Sequence, residues 1–330
     1  MTAARPRGSV KAIAPPGRET EACMGTRETT AAVTEAGATV AGGFARVVCG
    51  VDGRRLGFEA VRQAARLTSP AGRLTLVGVV EIFAALSGRW GDEPSRRRLN
   101  AMPERGLEEC VAELAERARD SLSWAETQVS GPAEVRSRVV EGEAYAGLLG
   151  AVRDDPADLV AIGAGGGGRL AGAVLARTAA LVLHDAPCSV LVARLGYDPE
   201  RVPSRVVGGV DGSPGSRAAL AVAADVCRRG GGVLTVVTAG HDQERALAAL
   251  DGFDEPHEHI ATPDRPVDVI VAAARTADLT VVGSRGLHGA SALGSVSERV
   301  VYRAASSVLV VRTAGDDGGG GAAPSDGGGS

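Results

Sequence analysis

The residues best arranged for chemistry lie near the end of the chain. Gly283-Ser284-Arg285-Gly286 is followed by seven residues and then by Gly294-Ser295-Val296-Ser297-Glu298. The segment comes after the apolar run Asp278–Val282 and before a helical pattern that starts near Ser295. Glycines at such a junction let backbone N–H groups approach an anion without a Cβ in the way. A helix N-terminus adds partial positive charge, and the Ser295 and Ser297 hydroxyls can donate to phosphate oxygens. The same residues also read as a plain turn, because Ser295 and Glu298 have the S-x-x-E spacing of a capping box, which needs no ligand. Spacing alone leaves both readings open.

Other constellations are weaker. Gly163-Ala-Gly165-Gly-Gly-Gly168 satisfies the dinucleotide pattern G-x-G-x-x-G, but it follows a late strand, and the next strand ends in Ala193-Arg194 rather than in an acid. A phosphate loop of the Gly-Lys-Ser/Thr type is excluded, since Lys11 is the single lysine. The same lack argues against reading Asp52 or Asp211 as phospho-acceptors. His257-x-His259 could bind a metal, with a solvated polar loop as the simpler reading; no metal site is expected. His288 lies inside the glycine loop and could contact a phosphate, although a surface position is its default. No serine has a His and Asp in triad-like proximity in sequence, so no catalytic residue is assigned.

The elements that must position the loop are repeated. Phe44–Asp52 (FARVVCGVD) matches Ser204–Asp211 (SRVVGGVD), and Leu74–Val80 matches Leu234–Gly240. Asp158–Gly163 (DLVAIG) matches Asp278–Gly283 (DLTVVG), and Ser189–Arg194 (SVLVAR) matches Ser307–Arg312 (SVLVVR). Four strand signals recur in one order, which indicates an internal duplication. Helical periods separate them: Phe58, Val61, Ala64 and Ala65 in the first copy, Ala218, Ala221, Val222 and Asp225 at the matching place in the second, Leu107–Ala125 in the first, and Val267, Ile270, Val271 and Ala274 in the second. Strands alternating with helices predict open parallel sheets covered on both faces, with ligands beyond the carboxyl ends of the strands. Asp52, Asp211 and both glycine loops fall there. The second copy is shorter in its middle, so Gly240–Arg265 must hold the remains of a helix, read at Glu244–Leu250, and a third strand, read at His259–Thr262.

The repeated Val-Asp-Gly opening, the GSRG-x7-GS loop and the final Val-Leu-Val-Val strand resemble the universal stress protein family, over about residues 44–194 and 204–312. The resemblance implies an α/β fold of two tandem open parallel-sheet sandwiches, Rossmann-like and similar to the adenine-nucleotide α-hydrolases. ATP-binding members carry a Gly-x2-Gly-x9-Gly-Ser/Thr loop and an Asp ending the first strand that meets adenine. Carried over, Asp211 meets adenine, and Gly283, Gly286, Gly294 and Ser295 hold the phosphates, with Ser297 beside them; the gap here is seven residues instead of nine. A weaker first-copy site would comprise Asp52, Gly163 and Gly166, but Ala176 and Arg177 stand where Gly-Ser belongs. The implied ligand is ATP, with Mg or Mn through its phosphates. The implied role is stress-response regulation, with slow hydrolysis at most, and the alternative is a nucleotide-free interaction scaffold. An adenylyltransferase is disfavoured because its His-x-Gly-His signature is missing. The family often dimerises through its last strand, so Val190–Val192 and Val308–Val311 should be paired or covered, as an internal pseudo-dimer or in a homodimer.

Composition bounds the rest. The formal net charge is −4 and aromatic residues make up 3%, which disfavours nucleic acid as a partner. Five cysteines without C-x-x-C spacing fit a reducing cytoplasm. No apolar run reaches membrane-helix length, and the N-terminus lacks a signal-peptide core. The expected organisation is a disordered segment 1–43, with Met24 as a second candidate start, a first domain 44–196, a second domain 203–314, and a disordered Gly-rich tail 315–330.

Overall fold

Short apolar runs bounded by Asp and Gly form strands buried on both faces, and the amphipathic segments between them supply the cover. The computed structural model describes residues 11–12, 42–81, 104–132, 134–165, 175–196, 198, 200–284 and 294–313. In the first copy, β2 (Phe44–Val51), β3 (Thr68–Val80), β4 (Glu134–Glu141), β5 (Leu159–Gly163) and β6 (Ser189–Ala193) alternate with α1 (Arg55–Leu67), α2 (Glu104–Thr127), α3 (Ala144–Asp154) and α4 (Arg177–Asp185). In the second, β7 (Arg205–Val210), β8 (Val233–Ala239), β9 (His257–Thr262), β10 (Leu279–Gly283) and β11 (Ser307–Val311) alternate with α5 (Pro214–Gly230), α6 (Gln243–Ala248), α7 (Pro266–Ala273) and α8 (Ser295–Arg303). A two-residue strand, β1 (Lys11–Ala12), pairs antiparallel with β9.

All these strands form one sheet, in the order β1-β9-β8-β7-β10-β11-β6-β5-β2-β3-β4. Each copy contributes five parallel strands in the same internal order. The copies meet where β11 and β6 pair antiparallel, Val308 opposite Val192 and Val310 opposite Val190. The two apolar edges expected to need cover therefore cover each other. Antiparallel joining also sends the carboxyl ends of the two half-sheets to opposite rims.

Side-chain alternation sorts the core onto two faces. Val47, Cys49 and Val51 pack with α1, the end of α2 and α5, whereas Val48 belongs with α3, α4, α7 and α8. The shortening of the second copy falls between its second and third strands, on the helix, where α2 has 24 residues and its counterpart α6 has 6, and on the connection before it, residues 81–103 against 240–242. Partly buried Ala249, Leu250 and Phe253 pack against the core there. The third strand is present as a full six-residue pairing with β8. Of the terminal segments, 1–10, 13–41 and 314–330 lie outside the described residues.

Candidate functional site

The second-copy cleft opens at the carboxyl ends of β7, β8 and β10. It encloses about 160 Å³ between apolar walls that include Val210, Val237, Ile270 and Val282. Its polar lining is Asp211, Ser213, Ser216, Ser284 and Ser297, with Gly294 at the start of α8. Asp211 ends β7, and the next residues build its surroundings. Ser213 is the N-cap of α5, Pro214 follows at the first helical position, and the Ser213 side chain accepts from Ser216 N at 3.2 Å. Ser213 also donates to Asp211 Oδ1 twice, from its amide at 3.0 Å and from its hydroxyl at 2.6 Å. Burial pushes the Asp211 carboxyl up, but the Ser213 and Ser216 hydrogen bonds and the charge of Arg245 outweigh it and hold it below the ordinary range. Asp211 is thus a fixed, ionised acceptor at the mouth of an apolar slot. The Asp-Gly-Ser-Pro order carried the signal for Ser213 as a cap; Ser216 had none beyond its place in the first turn.

The two ends of the glycine segment do different jobs. A Cβ on Gly283 would lie 2.4 Å from the carbonyl carbon of Gly215 and 2.7 Å from Ser216 N, and one on Gly215 would lie 2.3 Å from Ser284 O. β10 ends against the first turn of α5, and that contact by itself requires a glycine at Gly283. The Ser297 hydroxyl donates to Gly283 O at 2.6 Å and so ties α8 to β10. The capping box does not form: Gly294 is the N-cap of α8 and makes no side-chain cap. Among the described residues the first amides of α8 have no side-chain partner, beside the exposed Ser295. Gly286 and His288 lie outside the described residues.

The first copy repeats this frame with different contents. Asp52 ends β2 and accepts from Arg54 N at 3.0 Å. Arg54 stands at the N-cap of α1 and makes no side-chain cap. A Cβ on Gly163 would lie 2.7 Å from Leu56 O, the same close approach that Gly283 makes. The cleft is larger, about 330 Å³, and carries Glu81, whose Oε1 accepts from Ala144 N at 2.8 Å. Ala176 is the N-cap of α4, Arg177 is exposed, and Ala179 stands where α8 has Ser297. A Cβ on Gly165, which has a φ of +57°, would lie 2.4 Å from Ala176 Cβ. Gly166 and Gly168 lie outside the described residues.

With this geometry in place, comparison with known proteins is decisive about family. The universal stress protein family model matches residues 43–194 and 239–312. Universal stress protein Rv2005c of Mycobacterium tuberculosis is 30% identical over 293 residues, 80% of this chain and 96% of its own length. The chain belongs to the universal stress protein family. A universal stress protein crystal structure from Archaeoglobus fulgidus shares the fold, with a TM-score of 0.62 at 18% identity over 82% of this chain and 97% of that one. Another universal stress protein, solved in complex with cAMP, covers 46% of this chain and 99% of its own, with 19% identity and a TM-score of 0.31.

The rest of this universal stress protein offers little competing chemistry. The second family match begins at the end of β8, although β7, α5 and β8 occupy the same places as β2, α1 and β3. His257 Nδ1 lies 2.8 Å from Glu255 O, and His259 Nε2 lies 2.8 Å from Thr238 Oγ1. Among the described residues no group of three or more His, Cys, Asp or Glu is placed to hold a metal. Cys49, Cys110, Cys188 and Cys227 are free thiols, and burial pushes Cys188 up to about 12. Among the described residues no helix is long and apolar enough to cross a membrane.

Proposed function

We propose that this universal stress protein is a stress-response regulator that binds ATP or a related adenine nucleotide in its second copy. The observation that carries the reading is that one cleft gathers Asp211 and the uncapped start of α8 at Gly294. An apolar slot suits the adenine ring, and the ionised Asp211 can accept from its exocyclic amine. The amides of the first turn of α8 and the Ser295 hydroxyl suit phosphate oxygens, with the helix dipole adding attraction. Mg or Mn would arrive on the phosphates themselves.

Asp211 is the one titratable side chain among the described residues that line this cleft. A carboxylate already engaged by Ser213 is a poor general base, so the reading is of a binding protein with slow hydrolysis at most. The first copy lacks the Gly-Ser pair and has Ala176 and Arg177 instead, which favours the second copy as the phosphate-binding one. The protein is expected to work in the cytoplasm, without nucleic-acid or membrane partners.

The test is equilibrium dialysis of labelled ATP with magnesium against the intact chain and its Gly294→Arg variant. The variant places a long side chain at the start of α8 and should bind about tenfold more weakly or worse, the loss expected when a charge-assisted contact is removed. Saturable binding that Gly294→Arg leaves intact would reject the site. No saturable binding by the wild type would favour a nucleotide-free interaction scaffold.

A further inference from the structure

The join between the copies contains a reciprocal pair of arginine straps. Arg194 follows β6, Arg312 follows β11, and each reaches into the other copy. The Arg312 guanidinium donates to Leu183 O at 2.6 Å and His184 O at 3.2 Å, in the last turn of α4. Arg194 Nη2 donates to Val301 O, the equivalent carbonyl of α8. Arg312 N donates to Ser189 Oγ at 3.2 Å, and Arg194 N donates to Ser307 Oγ at 2.9 Å. The base of the Arg194 strap is fixed a second time, because Gln63 Nε2 donates to Arg194 O at 2.8 Å.

Both straps end on helix C-termini, where free carbonyls and the negative end of the dipole favour a cation. The copies then differ. Arg194 holds the far end of α8, whose near end is tied to β10 by Ser297 and forms the wall of the nucleotide cleft. Arg312 holds α4, which begins at Ala176-Arg177 and has Ala179 in place of Ser297. A nine-residue helix clamped at both ends presents its first amides in one place.

We infer that Arg194 of the first copy is a positioning residue for the phosphate-binding end of the second copy's site, acting through α8. The first copy thus serves the second as a permanent brace, whatever it binds itself. This rests on the nucleotide reading of the second-copy cleft.

The experiment compares ATP and adenosine binding by the intact chain, Arg194→Gln, Arg194→Lys and Arg312→Gln. Adenosine lacks the phosphates that the α8 end would hold. Arg194→Gln should weaken ATP about fivefold or more while adenosine stays within about twofold, a typical size for coupling between sites. Arg194→Lys, which keeps a cation at Val301 O, should recover most of the loss. Arg312→Gln removes a strap of the same kind and should leave both ligands unchanged, which separates positioning from general destabilisation. Equal effects of Arg194→Gln and Arg312→Gln, or equal losses of ATP and adenosine, would overturn the assignment while the nucleotide site stands. A wild type that binds neither ligand would instead overturn the nucleotide reading, and this assignment with it.

Discussion

Glu59 shows how far a single residue's surroundings can override its type. It is 3% exposed on α1 and accepts at 2.7 Å from Gln63, the side chain that anchors the Arg194 backbone. Burial pushes its carboxyl up, against the Gln63 hydrogen bond and the charges of Arg62 and Arg55. A raised carboxyl means that the folded protein binds the proton more tightly than the unfolded chain does. Stability therefore falls as pH rises from about 4, the unfolded value, through the folded one. Glu59→Gln keeps an acceptor for Gln63 and removes the charge, so it should raise the thermal midpoint at neutral pH and flatten its fall as pH rises above the ordinary carboxylate range. Melting curves over that rise check it, and an unchanged slope would assign the pH dependence elsewhere. Asp211 is the opposite case, an acid held ionised by its own turn. Its place at a strand end was readable from the Val-Asp-Gly repeat. The bonds that fix its charge were not, since they depend on how Ser213 and Ser216 are turned by the helix start.

At the scale of elements, the junction of β10 with α5 shows where sequence reading stops. A glycine ending a strand before a loop signals either anion approach or helix packing, and spacing does not separate the two. The structure shows the packing demand at Gly283, through Gly215. Gly283→Ala must push Gly215 and Ser216 away and should cost about 1–3 kcal/mol, the usual size of an overpacking penalty. Urea denaturation would measure it; a loss of ATP affinity without a loss of stability would assign Gly283 to the phosphate site. The four strand signals per copy were legible because these strands are buried over most of both faces and their runs are mostly apolar. β9 was less so, as its sequence HEHIAT lies toward the sheet edge and carries polar side chains of intermediate exposure. The fate of the shortened middle was legible only as a length. The structure divides it between the α2 position and the connection before it, and in the first copy α2 packs Trp124 on Phe58 with ring centroids 3.9 Å apart.

Across the whole molecule the duplication has produced two clefts with different linings. The pairing of β6 with β11 merges the copies into one sheet, and their clefts face opposite rims. The need to cover those two edges was apparent from the apolar last strands. The straps were not, because an arginine after a strand has no meaning until the register of the join is known. The proposed function places one nucleotide site in each chain, in the second copy. Calorimetric titration of magnesium ATP into the intact chain, Asp211→Ala and Asp52→Ala tests it most directly. One site per chain is expected, weakened about tenfold or more by Asp211→Ala, as for loss of a hydrogen bond to a charged group, and unaffected by Asp52→Ala. Two sites per chain, or a loss that follows Asp52 and spares Asp211, would contradict it.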